Sequence, residues 1–267
     1  MKNQGLIHLF ILAAASAVQA GVDPPIFADG FESRCGQVGY QENFALDDGD
    51  PWPEPWVAVG SVDVADVQGG GARLRPTPGG YSLARMYAPV DTQDVELSFT
   101  FRLEDATTQG VGFYVRSNGG YLDETLPAGE GYAVFLEGTF RGRPGISVWK
   151  EENGREQELQ NGTNTVPPPQ QSVNYRVRLR VHQEDAENTR LQAKMWPVGD
   201  PEPPGWQVSH LDATAVLQNV SGGIAVDSWS VRTAAPITDH TFVDDIEIEP
   251  LCNPVATSGT PTAPVGR

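Results

Sequence analysis

Asp94 and Glu96 stand two residues apart and share one face if their segment is a strand. Cleavage of a glycosidic bond uses a carboxylate pair about 5–9 Å apart, one member holding its proton. Strand spacing i, i+2 meets that distance, but so does every second acidic position on a solvated sheet. Histidines are sparse: beyond the first twenty residues the chain has His182, His210 and His240. No two have metal-ligand spacing, and no nucleophile elbow accompanies them. The aromatics carry more. Three successive alternating segments place Tyr114, Phe135 and Trp149 away from their apolar partners, with Arg116 and Glu137 flanking. In the middle segment Tyr132, Val134 and Leu136 point inward and Ala133, Phe135 and Glu137 outward, or the reverse. A sugar ring has apolar C–H faces and hydroxyl-rich edges, so aromatic faces edged by a few polar groups suit it. Tyr114, Arg116, Phe135, Glu137 and Trp149 are therefore the candidate carbohydrate-binding residues. The alternative is that the rings lie under a loop as a second core cluster.

Two further features ask for a reading. Trp52 and Trp56 lie in the proline-rich "DPWPEPW", and Trp206 in "DPEPPGW". Stiff loops either present such indoles to a ligand or fold them back as lids. The stretch "VNYRVRLRVHQ" sets Arg176, Arg178 and Arg180 at every second position, in a chain of formal net charge -17. A hairpin with 188–197 through "QEDAENT" would place Arg180 opposite Gln192, Arg178 opposite Lys194 and Arg176 opposite Trp196, the last as a cation–π pair. Arg178 facing Lys194 is unfavourable alone, so an acidic strand should lie on the other side. The face of Glu96 and Glu104 is the candidate. The competing use of the stripe is a site for an acidic glycan.

These side chains need strands to position them. "DVELSFTFRLE" alternates Val95, Leu97, Phe99, Phe101 and Leu103 against Glu96, Ser98, Thr100, Arg102 and Glu104. "GVGFYVRS", "GYAVFLEG", "GISVWKE", "RLQAKMW", "GGIAVDSWSV" and "TFVDDIEIE" continue the pattern, with glycine or proline between segments. Period two with such punctuation marks strands, and no helix of normal length is evident. One apolar face per strand requires a second sheet. The predicted fold is all-β, a two-sheet antiparallel β-sandwich, with 41–252 as one domain. An immunoglobulin-type sandwich of about 100 residues is too small, and a large jelly roll fits the length.

The 267 residues, 39% hydrophobic with six tryptophans, allow a substantial core. The acidic balance disfavours nucleic acid and membrane surfaces as partners. Residues 1–20 read as a signal peptide: Lys2, the apolar "LIHLFILAAASAV", then small residues at Val18 and Ala20. Cleavage after Ala20 removes Lys2 alone among charges, taking -17 to -18. The expected compartment is outside the cell or periplasmic. There Cys35 and Cys252, the two cysteines, are expected to form one disulfide. Residues 21–40 form a proline- and glycine-bearing lead-in, and 253–267 a small, polar, proline-rich tail expected to be disordered.

The order of segments is familiar. "QENFALDDG", "DVELSFTFRLE", "GVGFYVRSNGGY", "GYAVFLEGTFRGRPGISVWKEENGREQEL", "NYRVRLRV", "LQAKMWPVGDPEPPGW", "GGIAV" and "FVDDIEIEP" together resemble the concanavalin A-like lectin/glucanase superfamily. The likeness covers most of 40–250 and is nearest to secreted bacterial LamG-like jelly rolls. It implies a concanavalin A-like jelly roll that handles poly- or oligosaccharide. The superfamily spans lectins, binding modules, lyases, hydrolases and adhesion domains, so fold does not choose among them. The glucanase pattern E-x-D-x-x-E is absent here, since "DDIEIE" has the composition without the spacing. Binding without catalysis is therefore the expected function, with a glycan-active lyase or hydrolase, or a protein-interaction domain, as alternatives. The resemblance also implies a structural calcium between first and last strands. Asp244, read as core-facing with Phe242, Ile246 and Ile248, would meet Glu42 or Glu32 there; the alternative is a hydrogen-bonded Asp at a bulge or strand end.

Overall fold

The computed structural model describes residues 33–34, 39–78, 82–139, 145–162, 166–231 and 239–252. The leader, Glu32, Cys35 and the tail after Cys252 lie outside the described residues. Among the described residues there are sixteen strands. They are β1 (Ser33–Arg34), β2 (Tyr40–Glu42), β3 (Val57–Ala58), β4 (Val62–Val67), β5 (Ala72–Pro76), β6 (Ser82–Thr92), β7 (Val95–Leu103) and β8 (Gln109–Ser117). Then come β9 (Gly131–Glu137), β10 (Gly145–Glu152), β11 (Arg155–Asn161), β12 (Tyr175–Gln183), β13 (Thr189–Pro197), β14 (Val208–Asp212), β15 (Gly222–Ser230) and β16 (Thr241–Cys252). One 3-10 turn, Ala215–Leu217, interrupts them. Among the described residues no helix is long and apolar enough to cross a membrane.

The strands form two antiparallel sheets. One has nine strands, ordered β14-β13-β12-β7-β16-β5-β4, with β1 and β2 also paired to β16. The other has seven, ordered β11-β10-β9-β8-β15-β6-β3. The alternation read in the sequence sets the interior. Leu97, Phe99, Phe101 and Leu103 of β7 and Val177, Leu179 and Val181 of β12 meet Val111, Phe113 and Val115 of β8 and Tyr132, Val134 and Leu136 of β9 in one core. Phe99 and Phe113 touch across the layers, ring centroids 4.7 Å apart. Trp52 and Trp56 fold back into this core, 5.2 Å from each other. Their indole N–H groups donate to the Arg73 carbonyl and the Tyr40 hydroxyl. These two loop tryptophans are lids.

The arginine stripe has the expected register: Arg180 opposite Gln192, Arg178 opposite Lys194, Arg176 opposite Trp196. On its other side β7 puts Glu96 opposite Arg180. Glu96 is buried and binds both Arg178 and Arg180, the latter at 2.9 Å. Glu202 closes onto Arg178 and Lys194 at 3.0 and 2.8 Å. Trp206 lies 5.0 Å from the Arg180 guanidinium and 4.8 Å from the Lys194 ammonium. Glu104 is engaged elsewhere, with His240. The stripe is matched by carboxylates of its own chain.

Candidate functional site

The outer face of the seven-stranded sheet carries a second aromatic layer. Four rows of residues run across it. Glu158, Trp149, Ala133, Tyr114, Ala225 and Tyr87 are neighbours in one. Ser147, Phe135, Gly112, Asp227 and Arg85 form the next. Glu137, Gly110, Trp229 and Leu83 form the third, and Glu156, Glu151 and Gly131 the fourth. Large side chains spread over small ones. A Cβ at Gly110 would sit 2.3 Å from the Trp229 ring, and one at Gly112 2.7 Å from Phe135. The glycines of "GVGF" are thus the floor on which the rings lie.

Tyr114, Phe135 and Trp149 do share this face. Phe135 stacks on Trp149 at 4.8 Å and meets Tyr114 edge-on at 5.8 Å. The open three-ring platform is corrected, however. Tyr114 and Phe135 are fully buried, and Trp149 alone of the three is half-buried. The cover is the segment 118–130, whose Tyr121 joins the cluster and donates its hydroxyl to the Leu83 carbonyl at 2.8 Å. Glu137 points to the same side but is buried beside Gly110.

Arg116 leaves this face altogether. Its φ is 53°, and the register with β15 slips between Tyr114 and Ser117. A bulge with one left-handed residue reverses the alternation. The guanidinium turns to Asp94 at 3.0 Å, Thr189 Oγ1 at 3.1 Å and the Leu217 carbonyl at 3.0 Å. Asp94 is thereby engaged with Arg116 and the Gln183 N–H, while Glu96 serves the stripe. The two do not work as a pair.

Asp244 is a second correction of the same kind. The register of β16 slips between Asp244 and Glu247, with Asp245 at φ 48°. Val243, Ile246 and Ile248 go to the core, and Asp244 turns away from it. It lines a 270 Å³ hollow with Phe242, Arg102 and the glycines 69–71. Partial burial, with Asp245 and Glu42 nearby, pushes its carboxyl up to about 6. Glu42 Oε1 accepts the Phe44 N–H, and Asp244 Oδ1 the Asp245 N–H. Among the described residues no three His, Cys, Asp or Glu side chains gather as a ligand set. Calcium takes about six to eight oxygens, and these residues do not fit it.

The sequence reading missed the charged centre of the aromatic face. Arg85 is buried and binds Asp227 through two hydrogen bonds of 2.7 and 2.8 Å, Glu151 at 2.8 Å and the Gly120 carbonyl at 2.9 Å. Its guanidinium lies 4.4 Å from the Tyr114 ring centroid. The Tyr114 hydroxyl donates to Glu156 at 2.8 Å. Three carboxylates thus surround one cation. Burial, then the Asp227 charge, pushes Glu156 up to about 7. The signal was present: "LARMYA" and "AVDSW" each set one charge inside an otherwise apolar strand.

A pH dependence follows. The folded state holds the Glu156 proton to about pH 7, against an ordinary 4.5. Between those values the folded chain binds more protons than the unfolded one, so stability falls as pH rises. Unfolding free energy should drop by about 1 kcal/mol from pH 6.5 to 8 through this group. Glu156→Gln, which still accepts from Tyr114, should flatten that slope and raise stability at pH 8. Denaturant titrations at both pH values check it, and an unchanged slope in the variant would refute the assignment.

No family model matches the sequence, and no curated protein matches it. Solved structures do match in shape. A protein of unknown function with a galectin-like fold from Bacillus subtilis superposes at TM-score 0.56 and 11% identity, covering 83% of this chain and 99% of its own. A mutant alginate lyase in complex with alginate trisaccharide gives 0.50 and 10%, covering 78% and 96%. A mutant carbohydrate recognition domain of Emp46p gives 0.50 and 16%, covering 79% and 95%. At such identities the likeness is one of fold: the chain has a concanavalin A-like jelly-roll fold, two antiparallel sheets packed as a β-sandwich.

Proposed function

We propose that this is an exported glycan-binding protein whose ligand rests on Trp149, at the β10–β11 edge of the seven-stranded sheet. One observation carries the reading. Trp149 is backed by the stacked Phe135 ring, steered by its own N–H bond to Ser147 Oγ at 2.7 Å, and left half-buried rather than covered. A ring held in place in this way presents a pre-set surface and loses little freedom on binding. Glu158 is its neighbour across the β10–β11 pair, and Glu156 stands one row on. Both can accept hydrogen bonds from sugar hydroxyls. Recognition thus shifts from the five residues read in the sequence to Trp149 with two carboxylates of the edge strand. Export, and a bond between Cys35 and Cys252, belong to the same reading.

Trp149→Ala should weaken glycan binding about ten-fold or more, since one aromatic contact contributes on the order of 1 kcal/mol beyond area burial. The variant should stay folded, because Trp149 lies at the rim of the cluster. Phe135→Ala should cost about 3–5 kcal/mol of stability, as for a core ring. Arg178→Ala, on the opposite sheet, should leave binding unchanged. Calorimetric titration and thermal melting on these three variants test the proposal. Binding lost in Arg178→Ala and kept in Trp149→Ala would move the site to the stripe.

An enzymatic reading has one observation in its favour, a carboxyl near neutrality beside the tyrosine hydroxyl. It would require the protein to release reducing ends from a bound oligosaccharide, and Glu156→Gln to stop it.

A further inference from the structure

We infer that the hollow on the outer face of the nine-stranded sheet is a second ligand site, which takes a uronate sugar by its carboxylate with Arg102 as the gripping residue. It lies on the other sheet from Trp149 and does not depend on the reading above. Alternation builds its floor. Thr100 and Arg102 of β7 point outward between the core residues Phe99, Phe101 and Leu103. The register sets Phe242 of β16 opposite Arg102, and Asp244 opposite Thr100. The Gly69–Gly71 turn between β4 and β5 forms one wall. Asn174 and Val198 form the other, the Val198 N–H donating to the Asn174 carbonyl at 2.9 Å. Gly69 and Gly70 hold φ of 64° and 75°, which makes the turn tight and leaves that wall without side chains. The space enclosed is 270 Å³, room for one sugar ring rather than a chain.

Arg102 sets this hollow apart. The three arginines of the stripe, and Arg73, Arg85 and Arg116, each face a carboxylate of the chain. Arg102 faces none among the described residues, and its guanidinium carbon lies 3.7 Å from the centroid of the Phe242 ring. A guanidinium laid on a ring face is held in place and keeps the N–H donors of its edge. A carboxylate answers such an edge with two parallel hydrogen bonds. The Thr100 hydroxyl and the Asn174 side-chain amide make no hydrogen bond among the described residues and can meet the hydroxyls of the ring. Two acids border the hollow. Asp245 is drawn to Arg176 at 3.8 Å. Asp244 accepts the Asp245 N–H, and burial pushes its carboxyl up to about 6, so in mildly acidic solution it donates rather than repels. A peptide carboxylate suits the place less well. The strands beneath it, β12, β7, β16 and β5, are all interior and give a peptide no free edge to pair with.

The test is an NMR titration of the protein at about pH 5.5, where a sugar carboxyl is still ionised. Methyl galacturonoside and methyl galactoside are the probes, identical but for a carboxylate in place of a hydroxymethyl group. The uronoside should bind about ten-fold more tightly, the preference expected of hydrogen bonds to a charged group. Arg102→Met should remove the preference. Arg102→Lys, a point charge without the fork, should restore only part of it. Asp244→Asn should bind the uronoside at least as tightly as the parent. Trp149→Ala should leave it unchanged, so failure here and failure of the Trp149 site are read separately. Equal binding of the two glycosides, no binding of either, or a preference that survives Arg102→Met would overturn the site. Loss of uronoside binding in Asp244→Asn would mean that the hollow grips hydroxyls through Asp244 and would overturn the carboxylate assignment. N-acetylalanine bound as tightly as the uronoside would overturn the sugar, leaving a site for a peptide terminus.

Discussion

Arg85→Met should destabilise the protein by about 3–5 kcal/mol at pH 8, the loss expected when one partner of a buried ion pair is removed. Arg85 binds Asp227 and Glu151, and all three side chains are no more than 1% exposed. Methionine fills much of the space but strands two carboxylates without a cation. They can escape the penalty by taking up protons, because burial already pushes both carboxyls upward and Arg85 is the main group pulling them back, helped at Glu151 by the Leu122 N–H. The loss should therefore shrink as pH falls from 8 to 5.5, the sign expected when the folded variant binds more protons than its unfolded chain. Adding Asp227→Asn and Glu151→Gln to Arg85→Met should recover part of the stability at pH 8. Urea unfolding of the three proteins at both pH values reads all of this. A loss under about 1 kcal/mol that does not change with pH would mean the guanidinium is not what neutralises this face.

The elements and their inward faces could be read from alternation, because a strand between two layers admits few phases. "VNYRVRLRVHQ" shows how far this reaches: Val177, Leu179 and Val181 fixed the buried side, and turn length fixed the register with β13. The charge imbalance of that pair pointed to the face of Glu96 and Glu104 as its far-side neighbour; β7 does place Glu96 there, while Glu104 is taken by His240. Alternation failed where one residue breaks it. Arg116 and Asp245 adopt left-handed φ, and each bulge moved a candidate ligand residue, Arg116 or Asp244, to the opposite side from the one expected. Arg116 gave no local warning, since arginine is not a type that favours positive φ, whereas Asp245 gave a faint one, aspartate being among the types enriched there. The third failure was one of cover. Tyr114, Phe135 and Trp149 were correctly placed on one face, but whether a face is open depends on where segment 118–130 lies. Tyr121 is 38 residues from the carbonyl it binds, that of Leu83. The Arg85 centre is less local still, its partners lying 142 and 66 residues away.

Cys252→Ser should cost about 4–5 kcal/mol, the upper part of the range for a disulfide that closes a long loop. The two cysteines stand near opposite ends of the sandwich sequence. A bond between them would restrict nearly the whole unfolded chain, which is where such a link acts most strongly in the chain-entropy account. The folded state is arranged to receive it. Cys252 ends β16 and pairs with Ser33 of β1, two residues before Cys35. β16 lies inside the nine-stranded sheet between β7 and β5, and β2 also pairs with it. The first described strands therefore pair with the last one, an interior strand, and a link there guards the strand whose loss would divide the sheet. Denaturant unfolding of the protein purified without reductant should show the loss in Cys252→Ser, and dithiothreitol should bring the parent protein close to the variant while leaving the variant unchanged. Peptide mapping without reductant should recover the segments around Cys35 and Cys252 as one species. Two thiols open to alkylation in the non-reduced protein would sink the bond, and the stability of the sandwich would then rest on its core and its buried ion pairs.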